Sequence, residues 1–85
     1  MHYVYILRST EKEWYYVGYT TKLKSRFQEH KNGKVRSTKD HRPLKMASYI
    51  AVETKEIALD LERYLKSGSG LAWRNKRLLG RSSPA

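Results

Sequence analysis

"YYVGYT", residues 15–20, decides how this chain folds. Aromatic and β-branched residues make "WYYVG", 14–18, a strand. Gly18 then lets the chain turn tightly, and Thr20 or Thr21 supplies the cap of a following helix. Towards the amino terminus, "YVYILR" at 3–8 is a second such run and is expected to be a strand buried on both faces. The polar "STEKE" between the two is short enough to close a hairpin. Towards the carboxyl terminus, a helix is expected over 22–31, with Leu23 and Phe27 one turn apart and Asn32 and Gly33 as its stop. "KVRSTKDHRPLK" is basic, contains a proline and carries no helical stripe, so it is expected to be a loop. "MASYIAVE", 46–53, makes a third strand. A second helix starts near Thr54, with Ile57, Ala58, Leu61 and Leu65 as its buried stripe, and "SGSG" at 67–70 breaks it. "LAWRNKRLL", 71–79, is a shorter closing helix. The order ββαβαα predicts an α/β (α+β) domain over 1–80, a three-stranded and mostly antiparallel sheet flanked by helices, with 81–85 as a flexible tail.

Charge narrows the partners. Eighty-five residues support one core. Lys and Arg number 18 against 8 Asp and Glu, so the net charge is +10, an excess that attracts polyanions. Nucleic acid comes first and an anionic membrane second. No segment reaches the roughly 18 uninterrupted apolar residues of a membrane span. "MHYVYILRS" lacks a signal peptide's charged head and cleavage site, and a cytoplasmic protein is expected. There is no cysteine, which removes disulfides and thiolate zinc sites and leaves stability to packing.

Individual polar residues admit two readings each. With Ile57 at 0° on the second helix, its stripe covers roughly 0 to 100° and Glu62 falls near 140°, bordering the core. Glu62 is then either an edge carboxylate paired with Lys66 at i+4 or a metal ligand. Lys22, Arg26 and His30 form an i, i+4, i+8 basic line beside Leu23 and Phe27. That line is a solvated face or a phosphate-positioning face, and His30 by itself is expected on the surface. Seven Tyr against one Phe means that hydroxyls are wanted, because each buried one needs a partner that Phe would not. Tyr5 and Tyr16 are expected side by side on one face of the hairpin, an arrangement that an ordinary cross-strand aromatic pair also gives.

Taken together these features resemble a known family. "YVYIL" at 3–7, "YVG" at 16–18, Arg26 ten residues past Tyr16, His30 four further on and Glu62 in "ALDLERYLK" are similar to the GIY-YIG nuclease domain. The likeness extends over about residues 2–79 and is greatest to small stand-alone bacterial members. It implies a divalent-metal-dependent endonuclease that hydrolyses DNA, with Tyr5, Tyr16, Arg26, His30 and Glu62 catalytic and Glu62 the sole protein carboxylate on Mg²⁺ or Mn²⁺. The chain departs from the pattern at Tyr3, which stands where the first glycine of the motif belongs. Asn75 is the candidate for a late asparagine of the family.

The chemistry fits a phosphodiester, whose hydrolysis needs positive charge and an activated nucleophile. A cation on one carboxylate keeps most of its waters. Arg26 would bind a nonbridging oxygen through its donor fork. Tyr5 or Tyr16, helped by His30, would orient or deprotonate water, the surrounding cations lowering the phenol's pKa from about 10. Lys22, Lys34, Arg36, Lys39, Arg42, Lys45, Arg74 and Lys76 supply phosphate contacts. Tyr19 and Trp73 serve base stacking on single-stranded or branched DNA, or else the core. Little sequence specificity is expected. No membrane partner and no small-molecule cofactor are expected, and the protein is a monomer or weak dimer. The rival is a basic nucleic-acid-binding module without catalysis, and a weaker one is a structural subunit docking an acidic partner.

Overall fold

A computed structural model describes residues 1–80. The tail expected at 81–85 lies outside the described residues. The chain runs β1 (His2–Ser9), β2 (Tyr15–Thr20), α1 (Leu23–Lys31), a short 3-10 turn (Lys39–His41), β3 (Leu44–Val52), α2 (Lys55–Leu65) and α3 (Gly68–Arg77). The strands form one sheet in the order β2-β1-β3, both pairs antiparallel. β1 is therefore the central strand, and its run of four buried residues, Val4 to Leu7, follows from having helices on both faces.

Alternation along β1 divides the core. Val4 and Ile6 point to one face, where Val17, Ala58 and Leu65 join them and Leu61, Leu78 and Leu79 pack around. Tyr5 and Leu7 point to the other, with Leu44, Tyr16, Leu23, Phe27 and Met46. Hence α1 covers one face while α2 and the chain beyond α3 cover the opposite one. β3 carries one extra residue against β1 between the Ile6 and Leu7 pairs, so that Leu7 faces Met46 after Ile6 has faced Ser48.

Four local expectations are corrected. Ile57 is 51% exposed, while Ala58 and Leu65 are buried; the buried stripe is centred near Ala58 and Leu65, which rotates Glu62 further inward than an Ile57-centred stripe does. Neither threonine caps α1, whose cap position is Lys22 without a side-chain bond; Thr20 Oγ1 instead accepts the Lys22 amide at 3.0 Å and bends the chain ahead of the helix. The loop before β3 contains the 3-10 turn and buries Val35 and Thr38. Finally, "SGSG" starts a helix as well as ending one. Ser67 Oγ donates to the Tyr64 carbonyl at 2.6 Å and accepts the Gly70 amide at 3.1 Å, closing α2 and capping α3, so that Gly68 and Gly70 lie in the first turn of α3.

The α2–α3 corner is tight at one glycine only. A Cβ at Gly70 would run into the Tyr64 carbonyl, whereas nothing lies within 4 Å of one at Gly68. We expect Gly70→Ala to cost about 3 kcal/mol or more through overpacking against backbone. Gly68→Ala should be neutral or stabilising by up to about 1 kcal/mol. Denaturant unfolding of both variants checks this, and equal effects would contradict it.

Candidate active site

Tyr5 leaves the middle of β1 and passes over its cross-strand partner Gly18 towards the outer edge of β2. A Cβ at position 18 would fall 2.5 Å from both Cζ and Oη of Tyr5 and 3.0 Å from Cε2 of Tyr16. This corrects the expected role of Gly18. It sits inside β2 without positive φ, and what it supplies is room for the phenol.

Tyr16 lies on the same face as Tyr5, the ring centroids 6.4 Å apart, as expected of side-by-side tyrosines. His30 closes the group from α1, at 5.6 Å from the Tyr5 ring and 5.4 Å from that of Tyr16. Its side chain is wholly buried, against the surface position expected from its own local sequence. The reason is visible in helix geometry. Each i+4 step advances about 40° beyond a full turn, so the line Lys22, Arg26, His30 spirals from solvent into the core: Lys22 is exposed, Arg26 half-buried and His30 buried. His30 stands three residues after Phe27 and seven after Leu23, inside the apolar stripe, and that spacing was the available signal.

Both ring nitrogens of His30 are engaged. Nε2 is 2.8 Å from the Tyr5 hydroxyl and Nδ1 is 2.7 Å from Thr38 Oγ1. Thr38, fully buried in the basic loop, was missed in the sequence, where one threonine among charged residues carries no periodic mark. Burial, reinforced by the nearby Arg26 charge, lowers the His30 pKa to about 4, so the imidazole is neutral at pH 7.

Arg26 pairs with Glu29 at 3.1 Å, and its own pKa is raised by interaction with the nearby Tyr5 phenol first and with Glu29 second, against a lowering by burial. Burial dominates at Tyr5 and raises the phenol above its usual value, which overturns the expected net lowering by cations. Interaction with the Arg26 cation opposes that shift, and the charges of Tyr16 and Glu62 add to it. Arg26 from α1 and Glu62 from α2 therefore act on the same hydroxyl, although the two helices cover opposite faces of the sheet. Glu62 is half-buried and also pairs with exposed Lys66 at 3.4 Å, a contact worth at most a few tenths of a kcal/mol. No group of three or more His, Cys, Asp or Glu able to hold a metal occurs among the described residues. Glu62 offers a single hard carboxylate, a donor set that suits a Mg²⁺-like ion retaining waters and substrate oxygens.

The proposed phosphate contacts are scattered. Lys22, Lys34, Arg36, Lys39, Arg42, Lys45 and Lys76 are exposed. Arg42 folds over Gly33 and donates to the Lys39 carbonyl at 2.9 Å. Arg74 is buried and lies over the Tyr15 ring at 5.2 Å, and its Nε donates to Asn75 Oδ1 at 3.3 Å. Arg74, Asn75 and Lys76 belong to α3, away from the face that α1 covers. Tyr19 stacks on His2 and bonds it at 2.8 Å, while Trp73 is exposed beside Tyr64.

Comparison with known proteins bears on this geometry. A family model described as the GIY-YIG catalytic domain matches residues 1–76. The chain is 34% identical to a UPF0213 protein of Haloquadratum walsbyi, over 78% of this chain and 74% of that one. It is 33% identical to UPF0213 protein YazA of Bacillus subtilis, over 76% and 66% of the two chains. A UPF0213 protein of Syntrophus aciditrophicus is 36% identical over 80% and 79%. These names state no substrate. No solved structure gives a match.

The buried neutral histidine has a thermodynamic consequence. From pH 6.5 down to about 4 the unfolded chain binds a proton at His30 that the folded chain does not, so stability is fully present above this window and falls with pH through it. The loss should be roughly 1–3 kcal/mol. Chemical denaturation of wild type and His30→Gln at several pH values tests this: the wild type should lose stability more steeply, and parallel curves would contradict the assignment.

Proposed function

The chain belongs to the GIY-YIG family, a nuclease family, and from that membership and the geometry around Tyr5 we propose that it is a divalent-metal-dependent endonuclease hydrolysing phosphodiester bonds of DNA. The observation that supports the reading is the buried cluster of Tyr5, Tyr16 and His30, with the Tyr5 hydroxyl 2.8 Å from His30 Nε2 and the charges of Arg26 and Glu62 both acting on that phenol. A cation and a carboxylate that stay part-exposed near a buried phenol remain free to meet other charged groups. They suit a scissile phosphate that needs charge on two sides.

Each side chain then has a task. The Arg26 guanidinium binds a nonbridging oxygen with donors that Glu29 does not use. Glu62 would hold one Mg²⁺ or Mn²⁺, which when bound would supply positive charge against that developing on the leaving oxygen. The Tyr5 phenol, kept protonated by burial, orients the attacking water; it does not wait as a preformed phenolate. The water's proton passes to the Tyr5 oxygen while the phenolic proton moves to His30 Nε2, 2.8 Å away, so that Tyr5 begins and ends neutral. Tyr16 packs against both rings and fixes their spacing. The exposed cations, Lys22 and the loop residues Lys34, Arg36 and Lys39 in particular, hold flanking phosphates without reading bases, which favours single-stranded or branched DNA with little sequence preference. Arg74, covered by its contact with Tyr15, is the least available of the cations for that purpose.

Labelled single-stranded, duplex and forked DNA, incubated with Mg²⁺, Mn²⁺ or EDTA, tests the proposal. Wild type should cut only with metal. Glu62→Gln and Arg26→Ala should each lose cleavage by about 100-fold or more, with DNA affinity within a few-fold of wild type. A protein that binds every substrate and cuts none, with either metal, is a non-catalytic binding module.

A further inference from the structure

We infer that Thr38 is a positioning residue: with the Val35 carbonyl behind it, its hydroxyl fixes the tautomer in which His30 carries its proton on Nδ1 and turns an unprotonated Nε2 towards Tyr5. The inference rests on the nuclease reading for its role in the reaction, but the hydrogen-bond assignment stands on proton accounting alone.

Four groups lie in a row: the Tyr5 hydroxyl, the His30 imidazole, the Thr38 hydroxyl and the Val35 carbonyl. The links measure 2.8 Å from Tyr5 Oη to Nε2, 2.7 Å from Nδ1 to Thr38 Oγ1 and 3.5 Å from Oγ1 to the Val35 oxygen. In the substrate-free chain Tyr5 is 1% exposed and His30 and Thr38 are fully buried, so before the attacking water enters with substrate a proton without a protein partner has little water to turn to. A carbonyl oxygen only accepts, and a neutral imidazole has one donor and one acceptor.

Only one arrangement gives every proton an acceptor. Thr38 donates to Val35, so its oxygen accepts Nδ1–H, so Nε2 bears a lone pair, so the Tyr5 hydroxyl donates to Nε2. In the reverse arrangement Nε2–H donates to Tyr5 and Thr38 donates to Nδ1. The phenolic proton then faces no hydrogen-bond acceptor among the described residues, and the contact between Thr38 and Val35 is lost. A buried unpaired hydroxyl is costly. The backbone sets the far end of the row: the Val35 carbonyl also accepts the amides of Thr38 at 3.1 Å and Lys39 at 3.0 Å, which holds the turn and the threonine together.

The consequence for the reaction is directional. A proton leaving water for the Tyr5 oxygen requires that the phenolic O–H bond break towards a free lone pair, and the Nδ1–H tautomer presents one. The other tautomer presents an N–H and stops the transfer. Thr38 touches neither substrate nor the reacting atoms, and its effect runs through His30.

The test combines imidazole nitrogen NMR on the full chain with the cleavage assay, using Thr38→Val, which keeps the shape and removes the hydroxyl, and Thr38→Ser, which restores it. In wild type the long-range proton–nitrogen spectrum should show His30 protonated at Nδ1. Thr38→Val should move His30 partly or wholly to the Nε2–H form and lower kcat by ~10-fold or more at near-constant KM. Thr38→Ser should recover both. Wild-type His30 protonated at Nε2 overturns the assignment whether or not any variant folds, as does a folded Thr38→Val that keeps Nδ1–H. A tautomer shift without change in kcat overturns the role in the reaction. If wild type shows the Nδ1–H tautomer and Thr38→Val shifts it, yet no DNA is cut under any condition, the nuclease reading has failed and the hydrogen-bond assignment has not.

Discussion

The hydroxyl of Tyr5 is the point on which this small molecule turns. It is carried by the central strand, it passes over a residue that has no side chain, and it ends on His30, within the influence of the Arg26 charge. Each of these conditions constrains something else. The strand must be covered on both faces, which requires helices on both. The crossing requires glycine at position 18. The histidine must reach inward from α1, which requires Leu23 and Phe27 to seat that helix close to the sheet. One phenol thus ties the hairpin to α1 and, through the field of Glu62, to α2 on the other side.

The electrostatics run against the charge of the whole. A chain of net charge +10 builds its candidate site from a protonated phenol and a neutral imidazole, because burial disfavours the charged form of each. Charge is kept to the margin, on half-buried Arg26 and Glu62, where water still reaches. This division lets the polar interior stay satisfied by short hydrogen bonds while the cation and the carboxylate remain able to meet an anion and a metal. The surplus of positive charge is spread over α1, the loop, β3 and α3, where it raises the local concentration of any polyanion without fixing its register.

Most of the fold was legible because its signals are local. Aromatic and β-branched runs marked the three strands, and Leu23, Phe27, Ala58, Leu61 and Leu65 marked α1 and α2. The misreadings occur where one local pattern served two purposes. The "SGSG" run looked like a break, yet Ser67 both ends α2 and caps α3. Ile57 looked like core because it keeps helical spacing with Leu61, yet the sheet contacts the helix one position further round. Of the candidate site residues, Tyr5, Tyr16 and His30 pack together as side-by-side rings, and the charges of Arg26 and Glu62 reach the Tyr5 phenol. Gly18 was noticed for the wrong reason, because a turn and a close approach ask for the same residue. Thr38 was invisible, since its partner His30 lies eight residues away across an irregular segment and no periodicity links the two.

The claim that most needs a direct measurement is that Arg26 and Glu62 serve one shared anion site. Crystals grown with Mn²⁺ and a short non-hydrolysable phosphorothioate oligonucleotide, measured at the manganese absorption edge, give the answer in one map. The account predicts an anomalous peak on the Glu62 carboxylate at the β2 edge, with a phosphate group between that ion and the Arg26 guanidinium. Manganese bound elsewhere, or a phosphate on Arg26 that no metal approaches, would contradict it.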